Sequence, residues 1–164
     1  MKPLTKDDLF EEYDEYDDPC NYIDEDEFEN YYHPLKEDTR LNHIKGKATH
    51  MYARYKLKDE GYDVVDTIKT SLEGKCSLNE ELITKHILSK YEGDGSKLIS
   101  LLNNGLAGLP DIIGIKEGVI SFFEVKANDS KLSDNQKEKI EFLKKNGFLC
   151  SVLRFDVDLD IKEK

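Results

Sequence analysis

The stretch GLPDIIGIKEGVISFFEVKAND, residues 108–129, limits what this chain can fold into more than any other. With its charged residues set aside it reads as two β-strands, 111–116 and 119–127, joined by a turn near Lys116–Gly118. Its Ile, Val and Phe content predicts a mostly buried hairpin. Lys116 and Glu117 fall at the turn, where charge stays solvated. Asp111, Glu124 and Lys126 do not. Strand alternation puts Glu124 and Lys126 on one face, with Phe123 and Val125 on the other. The tight turn brings the start of the first strand beside the end of the second, so Asp111 faces the Glu124–Lys126 end. Charges placed in such a strand are costly unless they are paired or bind an ion.

The flanking segments supply the remaining layers. A helix runs from about Leu41 to Glu60 and stops at Gly61, which suits a C-terminal cap. Ile44, Ala48, Met51 and Tyr55 form one apolar stripe, and His50, Ala53 and Leu57 a second nearly opposite, which predicts cover on two sides. YDVVDTIKT reads as a strand. SLNEELITKHILSKY reads as a helix opened by a capping box, Ser77 with Glu80, and SKLISLLNN as a short second helix closed by Gly105. After the hairpin, SDNQKEKIEFLKKNG predicts a helix with its own capping box, Ser133 with Gln136, and a terminal Gly147. FLCSVLRFDV closes as a strand. The order α-β-(αα)-β-β-α-β makes a mixed α/β domain.

With 164 residues, 38% of them hydrophobic, a single core of ordinary size is expected. No apolar run approaches the ~20 residues that span a bilayer, and no secretory leader is visible, so no membrane partner is expected. Cys20, Cys76 and Cys150 are odd in number and lack a CxxC pair, which fits a reducing, cytoplasmic setting. The net charge of −11 sits wholly in residues 1–40, where 4 basic side chains stand against 15 acidic ones. The remaining 124 residues are balanced at 20 of each. The acidic arm also carries Phe10, Tyr13, Tyr16, Tyr22, Phe28, Tyr31 and Tyr32 with no sustained helical or strand period. Two readings stay open: a solvated tail, or a strip that docks on a basic groove of its own chain or of a basic protein partner. The expected division is an arm at 1–40 and a folded domain at 41–164, with a helical insertion at about 77–104.

Two carboxylates converging at a sheet end make an oxygen site for Mg²⁺, which takes one or two carboxylates plus waters and phosphate oxygens. A lysine beside them can orient an attacking water or neutralise charge building on a phosphate. The plain alternative is a cross-strand ion pair of Lys126 with Asp111 or Glu124. GLPD, then twelve residues, then EVK resembles the signature of PD-(D/E)XK nucleases, in the form seen in VRR-NUC nucleases and archaeal Holliday-junction resolvases. The hairpin, the LSDNQ helix and the GFLCSVLRF strand follow in the matching order, so the resemblance covers roughly residues 44–155. It implies a restriction-endonuclease-like core, a mixed sheet of order α-β-β-β-α-β flanked by helices. It also implies Asp111 and Glu124 as metal ligands, the Val125 carbonyl as a third, Mg²⁺ or Mn²⁺ as the ion, and Lys126 as catalytic base or electrostatic element.

Gln136 is either the capping partner of Ser133 or, as the resemblance supports, a polar group aimed at the metal site or a substrate phosphate. One rotamer is not expected to do both. His50 marks a departure, because relatives often carry a metal-contacting Glu there, about eleven residues before the glycine that ends the first helix. Histidine ligates Mg²⁺ poorly and Mn²⁺ better. His50 is then an acid/base group, a phosphate contact or a packing residue, and Glu80 or Glu81 could stand in as ligand. Lys45, Lys47 and Lys137, near helix starts that flank the site, are the preferred phosphate contacts.

The expected function is a divalent-metal-dependent DNA endonuclease acting on branched or structured DNA. The alternative is a catalytically inactive nuclease-fold binding module whose acidic arm contacts a basic partner. The doubly apolar first helix is compatible with a homodimer.

Overall fold

The computed structural model describes residues 37–71 and 74–156; of the arm expected at 1–40, residues 1–36 lie outside them and residues 37–40 belong to the first helix. Helix α1 spans Glu37–Asp59, four residues ahead of the expected start. It closes as the sequence predicts: Gly61 takes φ 89°, its N–H donates to the Lys58 carbonyl, and the Tyr62 N–H reaches the Leu57 carbonyl. That pair of hydrogen bonds is a glycine C-cap satisfying carbonyls the helix leaves over. Thr49, Ala53 and Leu57 are buried on the inner face of α1. The other expected stripe, Ile44, Ala48, Met51 and Tyr55, is only partly covered, since Ala48 is buried but Tyr55 is 48% exposed.

Strand β1, Asp63–Asp66, is followed by β2, Ile68–Thr70, and β3, Cys76–Leu78. The single strand expected over 62–70 is therefore two, and Thr67 is the break. Its N–H donates to the Asp111 carbonyl while its own carbonyl accepts from Asn79, so the chain passes from the main sheet to a small β2–β3 hairpin. The same hairpin overturns the capping box expected at Ser77. Ser77 pairs with Lys69 in the ladder, and the helical segment begins at Glu80 behind Asn79, whose side chain makes no cap bond. That segment, α2, runs as α-helix over Glu80–Leu82, as π-helix over Ile83–Ile87 and as 3₁₀-helix over Leu88–Lys90. Helix α3, Gly95–Asn103, is capped by Asp94, which accepts from the Lys97 N–H at 3.0 Å.

Strands β4, Ile112–Lys116, and β5, Val119–Ala127, form the expected hairpin through Glu117 and Gly118, at φ 52° and 75°. Two positive φ values in a two-residue loop match the right-handed twist of the strands. Helix α4, Asp134–Lys145, leads through another glycine cap at Gly147 to β6, Leu149–Phe155. The four-stranded sheet has the order β1-β4-β5-β6, antiparallel except for the β5–β6 pair.

Alternation along the central strands builds a core on each face. Ile113, Ile115, Ile120 and Phe122 pack with residues of α2, α3 and α4, among them Ile83, Leu98, Leu102 and Leu143. Ile112, Val64 and Phe123 pack beneath Ala53 and Leu57 of α1. A mixed sheet flanked by helices is the restriction-endonuclease-like architecture expected. No helix among the described residues is long and apolar enough to cross a membrane.

Candidate active site

Asp111 lies just before β4, after Pro110. The β4–β5 ladder ends at Ile112–Phe123, so the Val125 N–H has no strand partner on that side. Asp111 Oδ2 takes that role, accepting from Val125 N at 2.7 Å. The carboxylate is thereby locked against the next strand. N–H and C=O of one strand residue point to the same edge, so the Val125 carbonyl also faces the gap where β4 has stopped.

Glu124 projects from β5 on the α4 side, like Phe122, and is only 1% exposed. Its Oε1 is held twice, by Gln136 Nε2 at 2.5 Å and by Lys126 Nζ at 2.8 Å. Its Oε2 is buried with no hydrogen-bond partner. Burial pushes the Glu124 carboxyl above its ordinary value of 4.5, the Lys126 ammonium pulls it back, and the Asp111 charge pushes it up again. A buried carboxylate oxygen left unsatisfied costs roughly 1–3 kcal/mol or more. Two carboxyl groups, one with a free buried oxygen, and a carbonyl at the same edge fit a hard, oxygen-seeking cation.

Gln136 makes the cap contact and reaches Glu124 and Lys126 in one rotamer, where one rotamer was not expected to do both. Its Oε1 accepts from the Ser133 N–H at 2.9 Å and from Lys126 Nζ at 3.0 Å, while Nε2 donates to Glu124. The capping box with Ser133 is complete. A carbonyl oxygen has two lone pairs and the amide nitrogen two hydrogens, so cap and site are served together. Lys126 is 14% exposed, and in register it stands beside Arg154 of β6, which donates to the Ser130 carbonyl.

His50 sits elsewhere. Its Nε2 stands 3.5 Å from Asp66 Oδ1 at the end of β1, an ion-pair distance, and that oxygen is buried without a hydrogen bond. Arg54 Nη1 meets the other Asp66 oxygen at 3.2 Å. Asp66 pairs with Ile112, one strand over from Asp111's neighbours, but it projects to the α1 side, opposite Val65. Among the described residues no three His, Cys, Asp or Glu side chains converge to hold a metal, so His50 does not join Asp111 and Glu124 as a ligand set. Asp66 escaped sequence reading, although DVVD ends a strand at the same sheet end as Asp111. Arg54 was visible only as one of many bases on α1.

The expected phosphate contacts fall on both flanks. Lys45 and exposed Lys47 lie on α1, with Lys47 three residues before His50 and seven before Arg54, on one helix stripe. Lys137 is on the first turn of α4, where it pairs with Asp134 at 2.8 Å and holds that carboxyl below its ordinary value.

Residues 70–156, more than half of the chain, match the VRR-NUC domain family. The match takes in Asp111, Glu124, Lys126 and Gln136 and leaves out α1 with His50. No curated protein and no solved structure matches. The matched span is also the span that builds this corner of carboxylates, lysine and glutamine, and on that match the chain belongs to the VRR-NUC domain family, a PD-(D/E)XK-like nuclease domain family.

Proposed function

We propose that the protein is a divalent-metal-dependent DNA endonuclease that cuts branched or otherwise structured DNA at the Asp111–Glu124–Lys126 corner. The observation that carries this is Glu124: a carboxylate buried in a hydrophobic sheet, one oxygen clamped by Lys126 and Gln136, the other unpartnered beside Asp111. Such a group is a poor structural choice and a good ligand.

Asp111 and Glu124 with the Val125 carbonyl would hold Mg²⁺ or Mn²⁺. The ion, when bound, supplies Lewis-acid polarisation of the scissile phosphodiester. Lys126 places its ammonium within 2.8 Å of Glu124 and would orient an attacking water or offset negative charge growing on the phosphorus. Gln136 keeps Lys126 and Glu124 in register. Lys45, Lys47 and Lys137 would contact backbone phosphates on either side, and Arg54 with His50 would meet the strand beyond Asp66. These contacts read charge and shape, which favours recognition of DNA structure over sequence.

The test is cleavage of labelled single-stranded, duplex, flap and four-way-junction DNA with Mg²⁺ and then Mn²⁺. Wild type should cut, and Glu124→Ala and Asp111→Ala should each lose on the order of 10²–10³-fold or more. Equal activity in the variants would end the proposal. His50 in place of the usual acid favours a second reading, a non-catalytic binding module. It predicts no cleavage with either ion, and binding to a basic partner that is lost without residues 1–40.

A further inference from the structure

The loop between α3 and β4 is pinned to α4 at two points. At its start Lys139, 8% exposed, donates from Nζ to the Asn104 carbonyl at 2.8 Å. Further along, Gly108 at φ +76° lies against the first turn of α4. A Cβ there would stand 2.3 Å from the Asn135 carbonyl oxygen and 2.8 Å from the Gln136 backbone nitrogen. Backbone atoms cannot swing aside as a flexible side chain can, so no side chain fits at this position. Leu109 and Pro110, both buried, carry the chain directly from that contact to Asp111. The helix turn that Gly108 touches bears Gln136, whose side chain holds Glu124 and Lys126.

We propose that Gly108 is a positioning residue: its bare backbone seats the loop on the Asn135–Gln136 peptide and so sets Asp111 against the Gln136-held Glu124 and Lys126. The consequence for metal rests on the ligand reading proposed above. Gly105 supplies the control, because it shares the left-handed conformation at φ +86° but has nothing within 4 Å of its missing Cβ. Alanine costs backbone strain at both sites and forces α4 away only at Gly108.

The experiment compares wild type, Gly108→Ala, Gly105→Ala and Lys139→Met by two readouts: Mn²⁺ titration calorimetry, and the position of the Gln136 side-chain amide resonance in ¹⁵N–¹H spectra. Gly108→Ala is expected to weaken Mn²⁺ binding by about 10–100-fold, the usual range for a lost supporting contact, and to displace the Gln136 resonance. Gly105→Ala should leave both at the wild-type value. If Gly108→Ala does not fold, Lys139→Met, which releases the other pin, should show a smaller loss in the same direction with a displaced resonance. An unmoved Gln136 resonance in the folded variant, or equal effects of the two glycine substitutions, overturns the inference. Wild type that fails to bind Mn²⁺ while Gly108→Ala still displaces Gln136 refutes the metal reading and upholds the positioning role.

Discussion

Glu124 is a carboxyl that the fold buries against its own stability. Its pKa is raised in the fold, first by burial and then by Asp111, even with Lys126 beside it. A raised folded-state value means the native protein holds that proton more tightly than the unfolded chain. Glu124 therefore favours folding below about 4.5 and opposes it as pH rises through the raised value. Glu124→Gln should melt above wild type at neutral pH, with the gap closing below pH 4.5; a pH-independent gap would contradict this. The identity and meeting of Asp111, Glu124 and Lys126 were legible, because strand alternation and a two-residue turn are local geometry. That Glu124 keeps one buried oxygen unpartnered was not. Burial depends on what α4 and the insertion lay over β5, and no local pattern records it.

Among the elements, the capping box of α4 joins helix to site. Ser133 Oγ accepts the Gln136 backbone N–H at 3.3 Å, while Gln136's side chain reaches both the Ser133 N–H and the Glu124–Lys126 pair. The two ends can be separated by mutation. Ser133→Ala removes the cap alone and should cost about 1 kcal/mol, a fall of a few degrees in melting temperature, with cleavage near wild type. Gln136→Ala should instead reduce cleavage by about 10–100-fold, and a cleavage loss in Ser133→Ala as large as in Gln136→Ala would show that the cap, not the amide, matters. Helix ends at Gly61 and Gly147 could be read from the sequence because a glycine cap is a property of a few adjacent residues. Ser77 with Glu80 had the same local form and misled. Its backbone was taken by Lys69 of β2, a partner eight residues away that the capping motif does not see.

At the scale of the molecule, charge is divided between an arm of −11 and a balanced body. If the arm competes with DNA for the lysines of α1 and α4, removing residues 1–40 should raise DNA affinity about tenfold at low ionic strength. The gain should shrink as salt rises, since phosphate contacts are exchanged for counterions. Unchanged affinity in a filter-binding or fluorescence-anisotropy salt series would remove the competition. The core makes a separate demand: Phe122, fully buried beneath α4, meets Phe148 edge to face at 5.6 Å. Phe122→Ala should cost about 3–5 kcal/mol by denaturant unfolding, since it leaves a cavity where a fully buried ring stood.

Spacing along the chain was enough to read the β4–β5 hairpin, its charged end, the helix ends at Gly61 and Gly147, and the family resemblance, but not the β2–β3 hairpin. Packing between distant segments settles which charges are buried, that Thr67 hands the chain from one sheet to another, and that Asp66 rather than a metal ligand set meets His50. It also settles that Gly108 must be bare because Asn135 and Gln136 lie against it. Spacing is conserved when a chain folds; proximity between distant segments comes into being with the packing, and burial, pKa and close contact all depend on proximity.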